Sequence, residues 1–127
     1  MAGDIIQAIL GAGFQIAALE TFLLDFGKAD EFLEIYKGVI DYYGDVVKEM
    51  SSGACIALQI VKPEDPQTVV ATFRELCGPQ DPAMAKTLRP KTLRARFGET
   101  LARNGVHCTD LAEDGPLEVE YFFRVLQ

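Results

Sequence analysis

Asn104-Gly105-Val106-His107-Cys108-Thr109-Asp110 holds the only histidine of this 127-residue chain. A lone histidine builds a zinc site only with other ligands, and no cysteine pair stands nearby to supply them. It can, however, act as a nucleophile toward phosphorus. That chemistry needs a neutral ring nitrogen, a partner on the other nitrogen, and cations around the phosphoryl oxygens. A purely structural or surface role for His107 stays open beside this one. Val106–Thr109 reads as a last short strand, which would put the histidine at a strand end.

The cations lie just upstream. Lys86, Arg89, Lys91, Arg94, Arg96 and Arg103 make up half of the twelve basic residues. They sit in a segment, 79–105, that also contains Asp81-Pro82 and Arg89-Pro90. A solvated loop is one reading. An anion pocket is the other, because guanidinium groups match phosphate oxygens in bidentate geometry. Downstream, Asp114 and Pro116 open a final helix with Val119, Phe122, Phe123 and Leu126 facing inward. Glu118, on that helix, can orient the His107 ring.

Working further outward, Ile5, Ile6, Ile9 and Leu10 have helical spacing and stop at Gly11 and Gly13. Phe14–Leu24 predicts a strand ending at Asp25–Gly27. A short helix follows, with Phe32, Leu33 and Tyr36 on one side. Val39, Ile40, Tyr43, Val46, Val47 and Met50 form one face of an amphipathic helix, broken by Ser51-Ser52-Gly53. Ala54–Val61 is apolar at nearly every position, which predicts a strand covered on both sides. Pro63 and Pro66 end it. Pro66 suits the first turn of the next helix, with Asp65 as its cap. Val69, Val70, Phe73, Leu76 and Cys77 give that helix its face, and Gly78-Pro79 closes it.

The composition is that of a globular chain, 49% apolar and 24% charged. The net charge of −7 argues against general binding of nucleic acid or anionic membrane. The three cysteines, Cys55, Cys77 and Cys108, fit neither a zinc pattern nor a disulfide scaffold. They read as buried free thiols of a reducing compartment. No signal peptide or membrane-spanning run is visible, so the expectation is a soluble intracellular protein. A nucleophile elbow of the G-x-S-x-G type and a Walker A loop are both missing. Lys62-Pro63 alone is a weak phosphate signal.

Asn104-Gly105-Val106-His107-Cys108-Thr109-Asp110 resembles the N-x-x-H-G-S-D motif of the nucleoside diphosphate kinase family. Arg89-Pro90-Lys91-Thr92-Leu93-Arg94 resembles the family's R/K-P-G-T-I/L-R loop. The similarity runs from about Asp4 to Leu126. Three further stretches, Tyr36–Val39, Phe73–Pro79 and His107–Leu111 with Glu113-Asp114-Gly115, look like the C-terminal kinase-type domain of the family's ciliary and flagellar branch. The resemblance implies an α/β (α+β) ferredoxin-like sandwich and a ping-pong phosphoryl transfer. His107 would carry the phosphoryl group, and Glu118 would accept a hydrogen bond from the other ring nitrogen. Thr109 would stand at the family's serine position. Arg74, Arg94 and Asn104 would contact phosphates or ribose. Tyr42 would stack on the base, with Val46 below it, and Tyr36 would form the rim. Magnesium would bridge the nucleotide phosphates.

Some positions depart from the family pattern. Cys108 replaces the glycine after the histidine, and Gln80 stands where a threonine helps to bind phosphate. About three residues are added between Asp81 and Pro90. The family's first central strand and its Lys-Pro-Asp motif have no counterpart, since Lys62-Pro63 follows the third strand of the family order. The expectation is therefore one domain, 1–127, N-terminally incomplete, with a gap in its sheet. Two functions follow. One is a structural or interaction module of the ciliary axoneme, with preceding segments of a longer chain and axonemal or tubulin-associated proteins as partners. The other is an active kinase on nucleoside di- and triphosphates. Cytoplasm and the cilium or flagellum are the expected locations.

Overall fold

The computed structural model describes residues 1–127. Helix α1 (Ala2–Gly11) leads through Gly13, at a φ of 94°, into strand β1 (Gln15–Leu23). Helix α2 (Phe26–Phe32) starts at Asp25, whose carboxylate accepts from the Lys28 amide at 2.8 Å. A 3-10 turn at Glu34–Tyr36 precedes α3 (Tyr43–Met50). Strand β2 (Ala54–Val61) and a 3-10 turn at Pro66–Thr68 come next, then α4 (Val69–Cys77). Two short helices follow, α5 (Pro82–Leu88) and α6 (Leu93–Phe97). A 3-10 turn at Ala112–Asp114 leads to α7 (Gly115–Glu120), which widens into a π turn at Tyr121–Val125.

The sheet has two antiparallel strands, β1 and β2, paired from Gln15↔Val61 to Leu23↔Ala54. Ala17 stands unpaired where the register shifts between Ile16 and Ala18, as a bulge. The result is an α/β fold with its sheet reduced to two strands, consistent with the expected missing central strand.

Several expectations are corrected. Val39 and Ile40 lie in turns before α3, because Gly38 takes a φ of 79° that interrupts the helix. Val39 is accordingly 72% exposed. Strand β2 is not covered on both sides: none of its residues is fully buried, and Ile56 is 41% exposed. A two-stranded sheet has too little neighbouring structure to cover it. Val106–Thr109 forms no strand, since it has no partner to pair with. Asp65 makes no side-chain cap, although Pro66 does sit at the first turn. The basic segment is not simply a solvated loop: α5 and α6 order it, and Arg94 is buried.

Two apolar clusters form the interior. The first joins Ile5 and Ile9 of α1, Phe14, Cys77, Leu93 and Cys108. The second joins Phe22, Leu24, Ala29, Leu33 and Val47, with Phe32, Tyr36, Val46, Phe122 and Leu126 against it. The His107 segment lies at their seam: Cys108 belongs to the first cluster, while the His107 ring touches Phe32 and Tyr36 of the second.

Candidate active site

Helix α6 places Arg94. Its neighbours Leu93 and Ala95 are buried, which draws the five-residue helix inward and takes the guanidinium with it. Only 6% of Arg94 is exposed. Its Nε donates to Asn104 Oδ1, one terminal nitrogen donates to the Gly78 carbonyl at 2.8 Å, and the other lies 3.9 Å from Cys108 Sγ. Asn104 Nδ2 in turn donates to the Gln80 carbonyl at 2.7 Å. Arg94 and Asn104 thus commit their polar groups to the fold. Such a buried cation is tolerable only because its donors are satisfied.

Two glycines permit this closeness. Gly78 has a φ of 87°, and a Cβ there would stand 2.4 Å from Thr92 Oγ1. A Cβ on Gly98 would stand 2.7 Å from the carbonyl oxygens of Arg94 and Asn104.

Arg74, exposed on α4, donates to the Asp110 carbonyl at 3.1 Å. With Arg89, Arg94, Gln80 and Gly78 it lines an open depression of ≈410 Å³. Three guanidinium groups around one hollow suit an anion. His107 does not line that hollow, and it belongs to an adjoining group. Its ring meets Phe32 edge-on at 5.5 Å and Tyr36 at 5.8 Å. The Tyr36 hydroxyl donates to the Asp110 carboxylate. Asp110 therefore links the two groups, through its side chain to Tyr36 and through its carbonyl to Arg74.

The His107 ring is crowded by protein atoms yet counts as exposed by surface area, so one side meets solvent. Crowding disfavours the charged ring and lowers its pKa to about 4. Asp110 acts in the opposite sense, and Arg94 adds a smaller downward push. The imidazole is neutral at pH 7 and reachable. Glu118, expected to accept from the ring, accepts from Thr109 Oγ1 at 3.0 Å. Its half-buried carboxyl lies above the ordinary range, chiefly through desolvation. Burial, then the Asp110 hydrogen bond, raises the Tyr36 hydroxyl.

Tyr42 and Val46 stand away from the anion hollow. Tyr42 is half-buried just before α3, and Val46 packs against the second cluster. The sequence reading did not single out Asp110, Phe32 or the part Gln80 plays through its carbonyl. Asp110 was detectable as the last residue of the histidine motif. A backbone carbonyl leaves no sequence signal. No group of three or more His, Cys, Asp or Glu is placed to hold a metal ion. No helix is long and apolar enough to cross a membrane.

Comparison with known proteins places these features. Residues 1–127 match the family model for nucleoside diphosphate kinase. Nucleoside diphosphate kinase homolog 7 of Rattus norvegicus is 51% identical over 126 residues, 99% of this chain. This chain spans 31% of that relative's length. A nucleoside diphosphate kinase of Chloroherpeton thalassium is 36% identical over 121 residues, covering 95% of this chain and 80% of that one. An orthorhombic crystal form of the Aquifex aeolicus nucleoside diphosphate kinase superposes with a TM-score of 0.86 at 31% identity, covering 98% of this chain and 84% of that one. With the family model, the relatives' identity and the fold in agreement, the chain belongs to the nucleoside diphosphate kinase family.

Proposed function

We propose that this domain serves as a structural and interaction module of the ciliary axoneme, associated with doublet microtubules, and that it retains a nucleotide-phosphate site. The observation that carries the reading is the commitment of Arg94 and Asn104. Their polar groups are engaged with each other, Gly78 and Gln80 inside the fold, so that of the three guanidinium groups lining the hollow Arg74 and Arg89 are the exposed ones. The resemblance of Tyr36–Val39, Phe73–Pro79 and His107–Leu111 to the family's ciliary and flagellar branch supports the ciliary assignment, and the 51% identity to homolog 7 sequences fits it. The test is fractionation of ciliated cells expressing the full protein. It should remain with detergent-extracted, salt-washed axonemes, and deletion of this domain should release it while bulk kinase activity is unchanged. A protein found only in the soluble pool overturns the reading.

The second reading is phosphoryl transfer, favoured by the neutral, solvent-reaching His107 ring. A ring nitrogen would attack the terminal phosphorus of a nucleoside triphosphate, with its magnesium arriving on the nucleotide. Arg74 and Arg89 would steady the charge on the phosphoryl oxygens. The diphosphate would leave, and a second diphosphate would take the group back. Tyr36, Thr109 and Glu118 would hold the histidine surroundings, and Tyr42 with Val46 would contact the base. Incubation with gamma-labelled ATP should then give an acid-labile label, lost in His107→Ala. A folded protein that takes up no label ends this second reading.

A further inference from the structure

Helix α2 and the turn after it face α7 across an open hollow of ≈230 Å³. Phe32 and Tyr121 line it and stack on each other with ring centroids 5.7 Å apart. The Tyr121 hydroxyl donates to the Lys28 carbonyl at 3.1 Å, which holds that ring in place. Ile35 and Leu117 complete the apolar lining, yet they are 61% and 69% exposed. The other lining groups are the carboxylates of Glu31, Asp114 and Glu118. No lysine or arginine joins them, and none of the three is in an ion pair. The cations on these elements are engaged elsewhere or stand outside the lining. Lys37 pairs with Asp30 at 3.7 Å, Arg124 pairs with Glu120 at 2.9 Å, and Lys28 does not reach the hollow. From Asn104 to Phe123 the chain carries five carboxylates and neither lysine nor arginine. Burial raises the Glu118 carboxyl above its ordinary range, and the like charges of Asp114 and Asp110 raise it further. The hollow thus offers apolar surface and negative charge with no cation of its own.

We propose that this hollow docks a protein partner through one arginine side chain of that partner. The arginine methylenes lie along Ile35 and Leu117, and the guanidinium meets Glu31, Asp114 and Glu118. Charge complementarity selects a basic occupant, and the aromatic lining selects a guanidinium over an ammonium. A guanidinium is planar, weakly hydrated and able to stack on aromatic faces. Its five donors form a fixed fork that serves carboxylates on several sides. An ammonium is strongly hydrated, so seating it beside Phe32 and Tyr121 costs more. Apolar neighbours of the arginine cover what its stem leaves bare of Ile35 and Leu117. The net charge of −7 draws such a partner in from a distance. This hollow shares no lining residue with the arginine hollow, and docking there requires neither the axoneme nor phosphoryl transfer. Phe32 also meets the His107 ring, at 5.5 Å, so occupancy is felt at the histidine.

The test selects random peptides displayed on phage against the folded chain, then titrates the enriched peptide, made synthetically, into the protein by NMR. The enriched peptides should carry arginine beside apolar residues. The Ile35 and Leu117 methyl signals should shift saturably, and the ring signals of His107, the only histidine, should move with them. Replacing the peptide's arginine with citrulline, its uncharged isostere, should weaken binding at least about tenfold, and so should Glu31→Gln combined with Asp114→Asn. Added salt should weaken binding as well. Should the double variant fail to fold, the citrulline peptide on the unaltered protein still decides. The proposal falls if no arginine peptide is enriched, if lysine in its place binds as tightly, or if the shifts leave Ile35 and Leu117 untouched. Sedimentation supplies a further check: self-association of the chain that is lost in the double variant puts a second copy in the hollow and overturns the separate partner.

Discussion

At His107, crowding and solvent contact act together. The ring's pKa is lowered to about 4, with desolvation as the leading cause. An unfolded histidine titrates near about 6.5. Between those values the unfolded chain binds more protons than the folded one, so stability falls as pH drops from about 6.5 toward 4. Glu118 pulls the other way, since its folded pKa is raised and its stabilising effect fades as pH rises. The histidine contribution is therefore read as the difference between the protein and His107→Gln, whose pH profile should be flatter on the acid side. An NMR titration of the single histidine should give a midpoint below 6.5, and one at or above about 6.5 refutes the account. Arg94 poses a different case. Arg94→Ala strands the Gly78 carbonyl and the Asn104 amide without their partner. It should cost about 2–4 kcal/mol by denaturant unfolding. A loss under about 1 kcal/mol would mean that the guanidinium is not integral to the fold.

Among the elements, the junction of α4 with α6 is the most constrained. Gly78→Ala combines a left-handed backbone with a Cβ driven onto Thr92. It should destabilise by at least about 2 kcal/mol and lower the Tm by about 6–10 °C. An unchanged Tm would mean that the α6 cap moves freely. The same elements show what sequence reveals. Helices α1 and α4 and strands β1 and β2 were legible because apolar spacing alone specifies them. Helix α5, seven residues long, and helix α6, five residues long, were not legible. Helices that short are held by burial of Leu93 and by Arg94, which are tertiary effects. The expected strand at Val106–Thr109 failed for a related reason: a strand exists only with a partner, and periodicity says nothing about the partner. In the site, the motif pointed to His107, Arg94 and Asn104. It gave no sign that Arg94 and Asn104 would bond each other, or that Thr109 would engage Glu118.

Taken whole, the molecule buries 17 of its 127 residues, and eleven of these form the two clusters. A thin interior makes each buried side chain count. The clusters share the β1–β2 ribbon, with Phe14 at one end and Phe22 at the other, and the His107 loop bridges their seam. If the ribbon transmits little strain, losses in the two clusters should add. Ile9→Val trims the first cluster and should cost about 0.5–1.5 kcal/mol. Val47→Ala trims the second and should cost about 2 kcal/mol. The double variant should equal their sum within about 0.5 kcal/mol in urea unfolding. A coupling above about 1 kcal/mol would instead mark the clusters as one core joined through the ribbon. In that case a substitution at Cys108, in the first cluster, would reach Phe32 and Tyr36 in the second. Additive losses would confine its effect to the first cluster and the histidine loop.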